Sequence, residues 1–516
     1  MRSPTRRASV RRTLSIPLLS LALILLVSCG GAPLPQVPPA GYWPTSGWEA
    51  DTPENQGLDS TKLADGLLEM RASGINIHSL LMVRDGKVIL DATFYPYDAE
   101  HVHEVASVTK SVVTALIAIA ADQKSLSLDR PVLAYFPDRE VANRDNWKER
   151  MTIRNLAAMR SGLACVSDNN EQTLDEMGAA TDWVKFALDL PMAAKPGSEW
   201  VYCSPATHLL SAIISETTGL TAEAYARQYL FGPLGITDVI WDQDPDGYSD
   251  GWAGLYMHPS DMAKIGYLWL HGGQWEGRQI VPKSWVEQSV QRQSITGLGD
   301  DYGYGWWVMP DDTGEFSAEG RSGQYIRVIP QANAVIVTTG GGFEWNQIMP
   351  YIANAVIDLG QSAPANPAGV ARLKAAVAAV AEAPNPAPVP GLPLMASAVS
   401  GRSFQLGPNP SDLETLCLEF DGSQVARLYL TFFHQEPRTF EVGLDGVYRI
   451  FPGDDYGLPA GMRGAWIDER TFVLDYDTMA NRDAYEYRMT FLENRVTVQV
   501  TERARTGAVT FEGTAE

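Results

Sequence analysis

The stretch "ASVTKSVVTALIAIAADQ", from Ala106 to Gln123, is apolar on nearly every side between Val112 and Ala121. Val108, Val112, Leu116 and Ile119 recur at spacings of three and four, and Val113, Ile117 and Ala120 widen the stripe. That periodicity predicts a helix. A helix without a polar face must be covered all round, which places it at the centre of its domain. Its polar start breaks the pattern. Ser107 and Lys110 are three positions apart, so they share one face of the first turn. Free backbone N–H groups and the positive end of the helix dipole collect there, where a serine alkoxide or an acyl oxyanion is stabilised. A desolvated lysine in the same place has a lowered pKa, and its neutral amine can act as a base. Taken alone, Ser-x-x-Lys equally describes a capping serine followed by a surface lysine, so the motif needs partners before it means catalysis.

The chain begins with a targeting segment. Arg2, Arg6, Arg7, Arg11 and Arg12 precede a short apolar core from Ile16 to Val27, too short to span a bilayer as a mature helix. The core ends in Leu26-Val27-Ser28-Cys29-Gly30, which resembles a bacterial lipobox. That resemblance implies that residues 1–28 are a lipoprotein signal peptide and that Cys29 carries lipid as the first mature residue. The expected location is then the periplasm or cell surface, with membrane anchoring. Residues 29–46, with Pro33, Pro35, Pro38 and Pro39, read as a tether. The 516-residue chain carries a formal charge of −22, and removing residues 1–28 deletes five arginines and no acids, giving −27. Such a surface argues against nucleic-acid binding.

Ser79 to Leu90 reads as a β-hairpin turning at Asp85-Gly86. Helical patterns follow at 107–122, 152–160, 181–189, 205–217 and 259–271, and strands resume at 325–330 and 333–339. Helices between an early hairpin and late strands suit an antiparallel sheet flanked by helices, with a helical lobe inserted. Residues 362–396 are rich in Ala and Pro and read as a linker holding a short Ala-rich helix. Residues 397–516 then carry short alternating strands, such as "ARLYLTFF" and "RVTVQVTE". They predict a small antiparallel β domain, barrel-like or sandwich-like.

Further motifs complete the picture. Tyr202-Cys203-Ser204 lies on a loop 95 residues after Ser107, just ahead of a helix. A tyrosine beside a lysine can pass a proton to a leaving group. In this register the chain resembles the serine hydrolases of the class C β-lactamase and penicillin-recognising superfamily, and within them the esterase and 6-aminohexanoate-dimer-hydrolase-like branch. The stretches that carry the resemblance, over roughly residues 50–355, include "PENQGLDSTKL", "HEVASVTKSVVTALIAIA", "MTIRNLAAMRSGL", "PGSEWVYCSPATHLLSAIISETTG", "GLYMHPSDMAKIGYLWLHGG" and "YGYGWWV". The resemblance implies a β-lactamase-like α/β (α+β) fold over residues 47–361. It also implies Ser107 as acylated nucleophile, Lys110 as base and Tyr202 as proton relay. Ser204 stands where many members carry Asn.

The family's third motif, a Lys or His followed by Thr or Ser and Gly, has no counterpart. The matching place reads Glu319-Gly320-Arg321-Ser322-Gly323-Gln324, resembling the G-x-x-G-Q variant of the esterase and amidase branch. The backbone N–H groups of Ser107 and Arg321 are the expected oxyanion hole, with Gly320, Gly323 and Gln324 shaping the turn. These glycines fit a plain strand-entry turn equally well. By family analogy Tyr256, Trp306 and Trp307 gather near the cleft, with core packing the plainer expectation for Trp307. Two other matches read as chance: Ser167-Asp168-Asn169, and Arg505-Thr506-Gly507 in the second domain.

Cys165 and Cys203 flank these motifs, and whether they pair stays open. His101-Val102-His103-Glu104 lacks the partners of a metal site, and neither metal nor cofactor is expected. The expected activity is hydrolysis of an ester or amide, small-molecule or peptide-like, through an acyl-enzyme on Ser107. The rivals are a D-Ala-D-Ala peptidase or β-lactamase, and a non-catalytic penicillin-recognising protein that holds cell-wall peptide. All the motifs precede the linker, so the β domain is expected to be separable and chemically idle. A chain ending near residue 365 is then expected to keep small-ester hydrolysis.

Overall fold

The computed structural model describes residues 37–38, 40–166, 171–310, 313–433, 435–503 and 507–515. Cys29, Ser167-Asp168-Asn169 and Arg505-Thr506 lie outside the described residues. An eight-stranded sheet runs in the order Glu49–Ala50, Lys87–Thr93, Ile77–Arg84, Ala334–Gly340, Gln324–Ile329, Phe316–Gly320, Trp307–Val308, Asp301–Tyr302. The sheet is mixed rather than wholly antiparallel, because the edge strand Glu49–Ala50 runs parallel to Lys87–Thr93. A two-residue strand of exposed residues at a sheet edge needs no hairpin to reach its place. The hairpin turn at Asp85-Gly86 has φ of 49° and 74°, the pair of left-handed residues that a tight two-residue turn requires.

The Val108–Asp122 helix is buried along Val108–Ala120 and packs in the large core cluster on one face of the sheet. The helices Ser204–Thr218 and Pro259–Leu270 share that cluster through Leu209, Ile213, Ile265 and Leu268. The opposite face is covered by the helices Ser60–Ala72 and Trp345–Ala355, in a second cluster with Leu63, Leu67, Ile348 and Ile352.

The Ala-rich segment is docked. Its helix, Pro367–Ala381, inserts Leu373, Ala376 and Val380 into the second cluster beside Leu63 and Leu67. Arg71 closes that helix by donating to the carbonyls of Ala379, Val380 and Glu382, at 2.6, 2.6 and 2.7 Å. A cation is favourable there because the last carbonyls of a helix lack internal partners. Few large apolar residues were legible here, but alanine at helical spacing buries well against a close neighbour.

The C-terminal strands form a ten-stranded sheet. Nine of its strands close into a barrel, because Arg438–Gly443 meets Pro459–Trp466 in a parallel contact at Gly443 and Arg463. The tenth, Arg449–Pro452, pairs outside on Pro459–Trp466. Of the two expected forms, barrel-like or sandwich-like, the domain takes the barrel, and it is larger than the small domain expected. Closure removes the open edges that a sheet of alternating strands would expose. Phe404, Leu418, Leu428, Phe472, Met489, Phe491 and Val498 are buried together in its core.

The barrel is tied to the N-terminal half by buried contacts. The N–H of Glu104 donates to the Ala480 carbonyl at 2.9 Å, and Arg482 pairs with Glu104 at 2.8 Å. The Tyr448 N–H donates to the Tyr95 hydroxyl at 3.0 Å. Met479 and Ala480 are fully buried.

Candidate active site

Ser107 occupies the N-cap of the Val108–Asp122 helix, and its side chain makes no capping hydrogen bond. The hydroxyl is left for another use. Ala106 just before it has φ of 50°, a left-handed conformation that a residue with a Cβ adopts at a cost. A Cβ added at Gly320 would lie 2.6 Å from the Val105 carbonyl oxygen and 2.8 Å from the Ala106 Cβ. Glycine at 320 therefore lets the Phe316–Gly320 strand end against the serine turn.

Lys110 Nζ donates to Ser107 Oγ at 2.7 Å and to the Trp252 carbonyl at 2.9 Å. The side chain is 1% exposed. Burial lowers its pKa from the usual lysine range to about 8, while the carboxylates of Glu171 and Asp250 pull the other way. The amine also lies 4.9 Å from the Tyr202 ring centre. Burial holds the Tyr202 phenol well above its ordinary pKa, reinforced by Tyr302 and Glu171 and opposed by a hydrogen bond with Ser107. The phenol therefore keeps its proton at neutral pH, and of the two groups the lysine is the one poised to accept. The loop leading to Trp252 is held by His208. His208 pairs with Asp244 at 3.0 Å and accepts from the Gly251 N–H at 3.3 Å.

A disulfide joins Cys165 and Cys203, tying the residue after Tyr202 to a second loop. Cys417 in the barrel is free. Ser111, the next hydroxyl along the helix, is buried and donates to the Gly305 carbonyl at 2.5 Å.

The other predicted residues divide. Gly320, Arg321 and Trp307 line the cleft with Ser107 and Tyr202. Trp307 stacks on Tyr202 with ring centres 6.1 Å apart, so core packing was the wrong expectation for it. Trp306 instead packs in the core, 5.0 Å from Trp269. Tyr256 is buried against Tyr456 of the barrel at 5.6 Å rather than on the cleft wall. Gln324 turns inward, donating to the carbonyls of Arg321 and Gly340 at 3.1 and 2.6 Å. Gly323 is packed under Phe343. Both support the turn that carries Arg321 without facing the cleft. Ser204 is buried at the start of its helix, with its hydroxyl 3.4 Å from a Glu171 oxygen. His103 is buried beside His78 at 2.8 Å, in a histidine pair away from the serine.

The cleft holds about 680 Å³, within the usual range for small-molecule sites. Its wall includes Glu319 from the third-motif stretch and residues the sequence reading did not single out: Glu171, Trp200, Glu344 and, from the barrel, Arg482 and Arg503. The barrel is thus not remote from the chemistry, as its place after the motifs suggested. No motif marks Arg482 or Arg503, because their position depends on how two domains dock. Trp200 had a signal, standing two residues before Tyr202 on the same loop.

A family model described as Beta-lactamase matches residues 69–360. The chain belongs to that family. A 6-aminohexanoate-dimer hydrolase from Paenarthrobacter ureafaciens is 26% identical over 303 residues, covering 54% of this chain and 75% of that protein. Esterase EstB from Burkholderia gladioli is 28% identical over 154 residues, covering 28% of this chain and 39% of that protein. Among solved structures, a Bacillus anthracis protein described as a candidate 6-aminohexanoate-dimer hydrolase superposes with a TM-score of 0.53 at 20% identity. That match covers 64% of this chain and 92% of the other. The fold is that of the β-lactamase superfamily and its 6-aminohexanoate-dimer-hydrolase-like members. Membership implies a serine-hydrolase type of mechanism with an acyl-enzyme.

Proposed function

We propose that this protein hydrolyses an ester or amide through an acyl-enzyme on Ser107. The observation that carries the reading is the 2.7 Å hydrogen bond from a buried Lys110, with its lowered pKa, to Ser107 Oγ at a helix N-terminus. Neutral Lys110 takes the Ser107 proton as Oγ attacks the carbonyl carbon. The backbone N–H groups of Ser107 and Arg321 receive the developing oxyanion. Protonated Tyr202 gives its proton to the leaving group and regains one from Lys110. Water then enters, is deprotonated along the same path, and releases the acid.

Labelling with a fluorophosphonate, followed by peptide mapping, tests this assignment. Modification at Ser107 together with p-nitrophenyl ester turnover supports it, whereas labelling elsewhere removes it. Export and lipid anchoring through Cys29 belong to the same reading, and the Cys165–Cys203 disulfide suits an oxidising compartment. Palmitate incorporation that survives Cys29→Ser would exclude the anchor.

A further inference from the structure

In the family's pattern a basic residue from the third motif stands on the strand beside the serine. Here Glu319 takes that neighbourhood, with burial raising its pKa. The hydrolase half also places Arg321 on the cleft, but its guanidinium is engaged by the barrel's Asp483 at 2.9 Å and Glu502 at 3.2 Å. The remaining arginines on the cleft wall, Arg482 and Arg503, both come from the barrel.

Arg482 sits on the turn between the strands Thr471–Asp477 and Ala484–Leu492. One guanidinium nitrogen pairs with Glu104 at 2.8 Å, and the guanidinium lies 5.7 Å from the Trp252 ring centre. The Nε is buried without a hydrogen-bond partner, 3.6 Å from the nearer Asp483 oxygen. The Arg482 side chain lines the cleft and is 18% exposed, so part of its guanidinium fork is open to a ligand oxygen. Arg503 is 32% exposed and pairs with Asp475, leaving part of its charge open to the cleft.

We propose that Arg482 and Arg503 form a carboxylate-binding subsite, so that the barrel selects substrates bearing an anionic group beside the scissile ester or amide. The barrel supplies cations to the wall, whereas the hydrolase half supplies Glu171, Glu319 and Glu344. A substrate with a carboxylate at one end fits this division. Planar guanidinium forks suit this task because they meet a carboxylate with two parallel donors.

The inference rests on Ser107 being the nucleophile, and the test separates the two. Two matched ester pairs are used with the full-length protein: p-nitrophenyl hexanoate against mono-p-nitrophenyl adipate, and phenyl hexanoate against 4-carboxyphenyl hexanoate. These place a carboxylate on either side of the ester. Arg482→Gln and Arg503→Gln are each expected to lower kcat/KM for at least one carboxylate ester by roughly ten- to hundredfold more than for its neutral partner, the range for one charged hydrogen bond. The loss falls on KM, and wild-type KM for that ester rises with salt. Equal losses on neutral and anionic esters, or a fall confined to kcat, would show that the arginines position the site without binding substrate, and would overturn the proposal. Arg503→Gln keeps the test decisive if Arg482→Gln does not fold, because Arg503 is the more exposed of the two. Wild-type protein that turns over none of the four esters removes the hydrolase reading, and the subsite with it.

Discussion

The hydrolase half and the barrel meet at one cleft but contribute to it in different ways. The first brings Ser107 and Lys110, the proposed nucleophile and base, three residues apart on one helical turn, a geometry set by local backbone. The second brings Arg482 and Arg503, residues without any motif, through the docking of a turn against Glu104 and Trp252. The Ser107–Lys110 pair is fixed by short-range structure, whereas Tyr202 and the barrel's arginines reach the same cleft through long-range packing.

The sharpest way to break that comparison is to remove the barrel. A chain ending at residue 365 would lack Leu373, Ala376 and Val380 from the second core cluster and would leave the buried Glu104 carboxylate without Arg482. We expect no stable enzyme, contrary to the expectation from sequence. A cooperative thermal transition together with normal ester turnover by that chain would show that the two halves are independent.

Next in size is Ser107→Ala. It should abolish hydrolysis while the protein still unfolds cooperatively, since the hydroxyl makes no capping bond and Lys110 keeps the Trp252 carbonyl as partner. Turnover above about one hundredth of wild type would place the nucleophile elsewhere, because loss of a nucleophile typically costs about 10⁶. Lys110→Met and Tyr202→Phe should each slow acylation by about 10²–10⁴. Measured in a double-mutant cycle, their losses should fall short of multiplying, as they serve one proton path. Independent losses would mean separate roles.

The pH dependence follows from the same lysine. Lys110 must be unprotonated to accept the serine proton, so kcat/KM should rise with pH through an inflection near about 8. In Lys110→Met that limb should vanish, and an inflection that remains belongs to another group.

The smallest effects probe the linker helix. Leu373 is 6% exposed, and Leu373→Ala should cost about 2–5 kcal/mol by chemical denaturation. Arg372, on the same helix, forms an exposed ion pair with Asp65, and Arg372→Ala should change stability by no more than about 1 kcal/mol. If both substitutions are silent, the helix is not part of the hydrolase core.

Much of the hydrolase half was legible. The apolar spacing of Val108 to Ile119, the Asp85-Gly86 turn and the Tyr202 loop all express themselves within a few residues, where local sterics decide conformation. The Pro367–Ala381 helix was visible as a helix but not as a docked one, because burial of alanine depends on a partner 300 residues away. Trp307 and Trp306 are neighbours in sequence and in strand-forming character, yet one faces Tyr202 and the other the core. Alternation says that they face apart, but only the sheet's position says which faces the cleft. The choice between barrel and sandwich was likewise left open, since closure turns on a single parallel contact at Gly443 and Arg463.

The bond from Glu104 to Ala480 has a consequence for biosynthesis. A chain emerges from the ribosome N-terminus first, so the serine and its lysine are made long before residues 478–503. Until the barrel has folded onto it, the Glu104 carboxylate three residues ahead of Ser107 lacks its buried arginine, and the cleft lacks part of its wall. The cleft is therefore complete only once residues 478–503 are in place, and until then Ser107 sits in an incomplete site.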